Sequence, residues 1–225
     1  MNLILLPIGL LIAALDWAAV SRRNKPLEYF AKPGTMLMLI LWLWLTTHFA
    51  GGMIWFALGL VFCLAGDIFL MLPREQFIAG LVAFLIGHIF YILGFNQTLP
   101  PFSLATLLVL VVVALPAVQI FRRIRAGLQS SGRSRLVGPV LLYSLVISVM
   151  LASALLTLVR PDEIWRPGPA LLAAFGALLF FLSDTLLAWN KFVKVLPGGR
   201  ALVHMTYHLG QYALIVGAAL NFLST

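Results

Sequence analysis

Eight apolar stretches, each about as long as a membrane crossing, run through this sequence and leave only short loops between them. A transmembrane helix needs about 20 mostly apolar residues. Stretches close to this length occupy residues 3–20, 35–50, 52–72, 77–97, 102–120, 136–159, 168–189 and 203–223. Hydrophobic residues make up 62% of the chain and charged residues 10%, whereas a soluble domain carries about 25% charged residues. The sequence therefore predicts an all-α polytopic membrane bundle of eight transmembrane helices, a single integral membrane domain over residues 1–225.

The positive charges of the loops predict how this bundle is oriented. Thirteen of the 15 Lys and Arg residues lie after the first, third, fifth and seventh stretches, and only Arg160 and Arg166 lie on the other side. Cytoplasmic loops carry such an excess. We therefore expect the basic loops in the cytoplasm and both termini outside, in a bacterial inner membrane. These loops also explain the net charge of +8, so the expected partner is the bilayer with its anionic headgroups, and nucleic acid is not expected.

Two of the apolar stretches each contain one carboxylate in the same frame. Residues 58–72 read LGLVFCLAGDIFLML around Asp67, and residues 175–188 read FGALLFFLSDTLLA around Asp184; a glycine stands eight positions before each Asp and a leucine three after it. An ionisable side chain within a membrane is costly and usually functional. At 1.5 Å per residue both Asp lie about 7–8 Å inside the cytoplasmic boundary. They are predicted to form a paired site, provided that their helices are neighbours.

The two halves of the chain share an order of elements. Each half opens with an apolar stretch that leads into a basic loop, and each ends with an Asp-bearing stretch followed by a last apolar stretch. Four crossings per half preserve the orientation. This order therefore predicts a parallel repeat of two four-helix halves.

Polar side chains follow one helical face of the fourth and of the eighth stretch. They are spaced by one, three or four positions: His88 and Tyr91, then His204, Tyr207, His208 and Gln211. Such faces must point into the bundle, away from lipid. Interhelical hydrogen bonding explains any one of these residues taken alone. Both stripes beside two Asp favour a site.

Two further charged residues have simpler explanations. Lys32 and Pro33 stand at the predicted start of the second helix, where Pro suits the first turn. Lys32 is predicted either to anchor the helix at the membrane surface or to bind a lipid phosphate. Asp16 lies four residues before the end of the first stretch, and we expect it to pair with Arg22, Arg23 or Lys32 near the interface.

Two alternative functions stay open at this point. The first is a zinc-dependent membrane lipid hydrolase, because His204 and His208, at positions i and i+4, suit a zinc site completed by His88 or by an Asp. However, Met205 stands where the H-E-x-x-H motif has its glutamate, and no metal is predicted. An acid pair in a repeated bundle also suits a proton-coupled transporter, but a transporter site is expected near mid-membrane, and both Asp lie near one face.

Four segments in order, preceded by Lys32-Pro33, cover nearly the whole chain: GLVFCLAGDIFLML, FIAGLVAFLIGHIFYILGF, GALLFFLSDTLLAWNKF and TYHLGQYALIVGA. Together they resemble the lysoplasmalogenase family, the YhhN-like multispan membrane proteins. The sequence departs from the expected pattern at His208, where an apolar or aromatic residue is expected. The resemblance implies cleavage of the vinyl ether bond of lysoplasmalogens to a fatty aldehyde and a glycerophospho-base, with Asp67 and Asp184 as the paired membrane carboxylates.

The chemistry of a vinyl ether fits two such carboxylates. A proton adds to the vinyl carbon, water adds to the resulting oxocarbenium ion, and the hemiacetal collapses, which requires one protonated acid and one ionised base. Burial and like charge oppose double ionisation of two close Asp. We therefore expect Asp67 and Asp184 to act as acid and base, in either order, without a cofactor. The residues expected to bind the lysophospholipid or orient water are Lys32, His88, Tyr91, Tyr207 and Gln211.

Overall fold

The computed structural model describes residues 4–74, 76–160 and 164–223. Over these ranges the chain forms eight α-helices and no strand. The helices are α1 (Leu5–Ser21), α2 (Lys25–Thr47), α3 (Met53–Met71), α4 (Phe77–Phe95), α5 (Leu104–Ser130), α6 (Val137–Leu156), α7 (Pro167–Phe192) and α8 (Gly199–Phe222), with a 3₁₀ turn (Ser134–Leu136) before α6. The prediction of an all-helical chain is confirmed for the described residues.

Six of the described helices, α2 to α7, are long and apolar enough to cross a membrane. Helix α1 is apolar but has only 17 residues. Helix α8 is not among the six and has 24 residues, with His204, His208 and Gln211 among its apolar positions. These helices support an integral membrane protein, and eight crossings stay a prediction.

Helix α2 begins ten residues before the predicted second crossing. The Asn24 side chain accepts a hydrogen bond from the backbone N–H of Leu27 at 3.2 Å, and Pro26 occupies the first turn. An Asn cap followed by Pro is a strong helix start. The prediction that Lys32-Pro33 opens this helix is therefore wrong: both residues lie in its interior.

The longest helix is α5, with 27 residues, and not α6, which has 20 although its apolar stretch, residues 136–159, is the longest of the eight. The apolar stretch predicted to end at residue 120 continues as helix through its basic residues to Ser130. Ile124 and Leu128 on this extension pack with Val140 of α6 and Phe192 of α7. This second small core explains why the helix continues beyond the apolar stretch.

The bundle is built around two close pairs of helices, α3 with α4 and α7 with α8. A Cβ atom at Gly176 would lie 2.2 Å from the backbone N of Leu214, and one at Gly210 would lie 2.8 Å from that of Phe180. Glycine allows the backbones of membrane helices to approach in this way. Helix α8 also contacts α1, α2 and α3, while α4 contacts α6. Among the described helices, no Cα atom of α3 lies within 8 Å of one in α7, so the backbones of the Asp-bearing helices are not adjacent.

Candidate active site

A cavity of about 720 Å³ lies at the end of the bundle that carries the basic loops. Asp67 of α3 and Asp184 of α7 both line it, together with Lys32 of α2 and Tyr207 of α8. The two carboxylates therefore share one polar space although the backbones of their helices are not adjacent. Four of the residues predicted from the sequence to form a site are brought together here.

Asp67 is fully buried and has a cationic partner. Its Oδ1 lies 2.8 Å from the Nζ of Lys32, which is only 8% exposed. Its Oδ2 accepts a hydrogen bond from the Tyr207 hydroxyl at 2.6 Å. A buried charge is tolerated when it is paired and hydrogen-bonded. The Lys32–Asp67 pair meets both conditions, with the Lys32 Nζ also 5.5 Å from the centre of the Tyr207 ring.

Asp184 has different partners. Its Oδ2 accepts a hydrogen bond from the Tyr143 hydroxyl of α6. The Nε2 atom of His88 lies 3.3 Å from the same oxygen and 3.0 Å from the Tyr143 hydroxyl. No Lys or Arg within the described part of the chain forms an ion pair with Asp184. The two carboxylates thus differ in their surroundings, since one faces an ammonium group and the other a phenol and an imidazole.

The contacts of the two carboxylates follow one scheme. Each Asp is contacted by a side chain from the helix before it in its own half, α2 for Asp67 and α6 for Asp184. Each is also contacted by the last helix of the other half, α8 for Asp67 and α4 for Asp184. No hydrogen bond joins the two Asp to each other where the chain is described, so each is held separately on its own side of the cavity.

Three predicted site residues lie outside the cavity wall. The Tyr91 hydroxyl donates a hydrogen bond to Oε1 of Gln211 at 2.7 Å, and both side chains are fully buried. This bond joins α4 to α8. His88 is also absent from the wall but contacts Asp184. Neither Tyr91 nor Gln211 lines the cavity, and their role in orienting substrate stays a prediction.

Asp16 forms a buried cluster with α8 behind the cavity wall. Its Oδ2 lies 2.6 Å from Nδ1 of His204 and 3.8 Å from Nδ1 of His208, and Trp17 donates a hydrogen bond to His208 at 3.2 Å. The predicted pairing of Asp16 with Arg22, Arg23 or Lys32 is wrong, because α1 packs on α8 and turns Asp16 inward. His204 is also buried, and it lines the wall of the polar cavity.

The histidines do not assemble into a metal site. His88 lies on Asp184, while His204 and His208 lie with Asp16. Within the described ranges, no three or more His, Cys, Asp or Glu side chains are grouped so that they could hold a metal ion. The donor set that the zinc alternative needs is therefore split between two places.

Sequence reasoning missed two parts of this site. The first is Tyr143, whose only signal was a single phenol in an otherwise apolar segment, VLLYSLV. The second is a charged group in the cavity wall around Glu28. The Nη2 of Arg200 lies 2.8 and 3.0 Å from the two Glu28 oxygens, and the Nζ of Lys25 lies 3.3 Å from one of them. Glu28 lies in a segment predicted to be a loop, so no sequence pattern indicated that it would line the cavity.

A narrow apolar pocket of about 60 Å³ adjoins the polar cavity at Asp184. Leu70, Phe84 and Leu187 line both spaces, as Asp184 itself does. The remaining wall comes from α4, α5, α6 and α7 and is almost entirely apolar. Asp184 therefore stands at a boundary between a polar and an apolar space, which is the arrangement that an amphipathic ligand requires.

The sequence model of the YhhN family matches residues 27–218. Mouse (Mus musculus) lysoplasmalogenase TMEM86B is 32% identical over 187 residues, which is 83% of this chain and 73% of that protein. Human (Homo sapiens) lysoplasmalogenase TMEM86A is 31% identical over 185 residues, 79% of this chain and 73% of that protein. An uncharacterized membrane protein YhhN of Escherichia coli O157:H7 is 26% identical over 189 residues, 82% of this chain and 83% of that protein. No solved structure matches.

Proposed function

This chain belongs to the YhhN family, and on that premise we propose that it is a membrane hydrolase of lysoplasmalogens. It would cleave the vinyl ether bond of lysoplasmenyl-ethanolamine or lysoplasmenyl-choline and release a fatty aldehyde and a glycerophospho-base. The substrate class comes from relatives named lysoplasmalogenase. The observation that carries the mechanism is the placement of Asp67 and Asp184, with different partners, in the wall of one cavity.

We assign the acid to Asp184 and the base to Asp67. The ammonium of Lys32, 2.8 Å away, supplies the counter-charge for a carboxylate at Asp67. Asp184 has no such cation and adjoins the apolar pocket. The vinyl carbon that takes the proton is the first chain carbon beyond the ether carbon, so it belongs on the apolar side. The acid is therefore expected at the start of the apolar pocket.

The steps balance without a cofactor. The Asp184 carboxyl gives its proton to the vinyl carbon, and the adjacent ether carbon becomes an oxocarbenium carbon. The Asp67 carboxylate takes a proton from water while the water oxygen bonds to that carbon. In the hemiacetal, the bond from this carbon to the glycerol oxygen breaks; Asp67 returns its proton to that oxygen, and the hydroxyl gives its proton to Asp184. Both residues are then ready for the next turnover.

The phosphate of the lysolipid is proposed to bind at the basic end of the cavity. Arg23, Lys25, Lys191 and Arg200 contribute to its wall, and the side chains of Lys25 and Arg200 are each 51% exposed. Arginine and lysine are the side chains that recognise phosphate. Lys32 lies deeper and is engaged by Asp67, so its proposed main role is to hold that carboxylate.

The membrane arrangement that goes with this function has eight crossings in two parallel four-helix halves. Support comes from equivalent packings in the halves: α2 with α3 and α6 with α7, then α3 with α4 and α7 with α8. With the basic loops in the cytoplasm, both termini are proposed to lie outside, in a bacterial inner membrane. The cavity would then open at the cytoplasmic face, where a lysolipid headgroup of that leaflet lies.

Aldehyde release from purified protein tests the proposal. Wild type is expected to release aldehyde from lysoplasmenyl-ethanolamine or lysoplasmenyl-choline in detergent, without an ion gradient. Asp67→Asn and Asp184→Asn should each lower kcat at least 100-fold, the lower range for loss of a general acid or base. Asp16→Asn is the matched control, because Asp16 is also a buried membrane Asp but lies outside the cavity wall; its loss should stay below tenfold. Folded Asp67→Asn or Asp184→Asn protein with more than a tenth of wild-type turnover would refute the mechanism.

A further inference from the structure

A second apolar space lies on the outer side of the bundle, between α5 and α6. It is a groove of about 270 Å³, lined only by residues of these two helices. Ala117, Ser144 and Ser148 line both this groove and the narrow pocket beside Asp184. The polar cavity, the narrow pocket and the groove therefore adjoin one another in that order. Asp184 stands at the first junction, and these three small residues stand at the second.

The groove has no free hydroxyl donor among its described lining residues. The Ser144 hydroxyl donates to the carbonyl of Val140 at 2.7 Å, and the Ser148 hydroxyl donates to that of Ser144 at 2.6 Å. Both hydroxyl donors are thus used by their own helix, and the other lining side chains are apolar. Small residues at the junction leave the space unfilled. A hydrocarbon chain is the ligand that such a surface favours.

The groove also has the direction and length of a lipid chain. Helix α6 begins at the basic-loop end, and its lining residues run from Leu141 to Ala152. At 1.5 Å per residue this is about 16 Å, directed away from the basic end. Half of the hydrocarbon core of a bilayer is about 15 Å. A lipid with its headgroup in the polar cavity would therefore place its chain along the groove in the same sense as lipids of the adjacent leaflet.

Helix α5 is held from one side only. Among the described helices, α5 contacts only α6, the 3₁₀ turn that precedes α6, and α7. Of its 27 residues, only Val113, Ile124 and Leu128 are buried. The groove thus faces the lipid directly. A chain can enter it sideways from the bilayer without passing through the polar cavity first.

We propose that the groove between α5 and α6 binds the hydrocarbon chain of the lysolipid, admits it laterally from the bilayer and sets the preferred chain length. The identity of the lipid rests on the proposed function. The site itself rests on the adjoining spaces, their apolar lining and their length. It is a chain-binding site distinct from the headgroup contacts at the other end of the cavity.

Photolabelling tests the site without requiring turnover. The probe is a saturated alkyl-ether lysophosphoethanolamine with a diazirine at the end of its chain, bound to wild-type protein in nanodiscs. Label is expected on residues toward the far end of the groove, such as Leu110 and Val149, and an excess of unlabelled alkyl-ether lysolipid should reduce this labelling at least fivefold. Val112 and Leu115 of α5 face lipid outside the groove, so their labelling should not be competed. Groove label that is absent, or not competed, overturns the proposal.

Chain-length kinetics test the same site through activity. Ala114→Trp and Val149→Trp would fill the groove at residues that line it but do not line the pocket beside Asp184, and Leu115→Trp is the matched control on the lipid-facing side of α5. For an 18-carbon alkenyl chain, kcat/KM should fall at least tenfold in both groove variants and stay within twofold in the control. For a 6-carbon chain all three should stay within twofold of wild type. Groove variants that keep long-chain kcat/KM, or that lose both substrates equally, overturn the proposal.

The two tests separate this inference from the proposed function. Suppose that unlabelled lysolipid reduces groove labelling of the wild-type protein, but that this protein releases no aldehyde from any vinyl ether. The chain-binding site would then stand and the hydrolase function would be refuted. If the protein releases aldehyde but shows no groove labelling that unlabelled lysolipid reduces, the hydrolase function stands and the chain-binding site is refuted.

Discussion

Removing the ammonium group of Lys32 should strongly destabilise the protein. Asp67 is 0% exposed, and its Oδ1 faces the Lys32 Nζ at 2.8 Å. In Lys32→Met protein, Asp67 keeps the Tyr207 hydrogen bond but has no counter-charge. Breaking a buried ion pair from one side costs about 3–5 kcal/mol, because the remaining charge stays buried and unpaired.

A double-mutant cycle isolates the pair. Asp67→Asn leaves the Lys32 ammonium unpaired, whereas Lys32→Met/Asp67→Asn leaves no charge at all, and replacing a whole buried pair is often nearly neutral. The double variant should therefore be more stable than either single variant. We expect a coupling of about 2–3 kcal/mol, the upper range for residues in contact.

Unfolding in mixed micelles with a rising fraction of sodium dodecyl sulfate, followed by fluorescence of the six Trp residues, measures the free energies of all four proteins. Lys25→Met is the matched control: Lys25 is half exposed and pairs with Glu28, which keeps Arg200 as a partner. Its expected cost is below about 1 kcal/mol. The double variant should be folded yet release no aldehyde, which separates stability from catalysis. Additive single effects, with coupling near zero, would refute the buried ion pair.

Three further predictions concern the other side of the site and the frame that holds it. Tyr143→Phe removes the phenol that donates to Asp184, which becomes a carboxylate as it gives up its proton. A hydrogen bond to a charged group contributes about 1.5–3 kcal/mol, so kcat for aldehyde release should fall roughly 10- to 150-fold with KM within threefold. Gly176→Leu should prevent folding, as judged by gel filtration, because its Cβ would lie 2.2 Å from the backbone N of Leu214; Gly138→Ala, with open space around its Cβ, should behave as wild type. Overnight dialysis against EDTA or 1,10-phenanthroline should leave turnover within twofold, since the proposed proton transfers use only side chains and water.

The grouping of the carboxylates was accessible from the sequence because it depends on position along helices. Matching frames placed Asp67 and Asp184 near one end of the bundle, and both line one cavity. Their separate environments were not accessible, because these depend on which helices are neighbours. The family resemblance is confirmed by the match over residues 27–218, but it said nothing about the distance between the two Asp.

The partner of Asp67 was missed because hydropathy alone located the start of the second helix. The charged segment from Lys25 to Lys32 lowers hydropathy, although Asn24 and Pro26 begin a helix ahead of it. Once that segment is helical, Lys32 lies within the bundle and reaches Asp67. Asp16 was misassigned for a related reason: its partner His204 is 188 residues away, whereas the sequence favoured cations nearby in the chain.

The common scheme of contacts explains how one arrangement of helices can give the two carboxylates different surroundings. Each Asp is contacted from the preceding helix of its own half and from the last helix of the other half, so the frame sets where the contacts come from and leaves the residue types free. At Asp67 the contact from the preceding helix is the ammonium of Lys32, and at Asp184 it is the phenol of Tyr143. An ammonium fixes a negative charge beside it, whereas a phenol can hydrogen-bond a carboxyl group in either protonation state. Lys32→Met should therefore disable the base without altering the acid, and Tyr143→Phe should do the reverse.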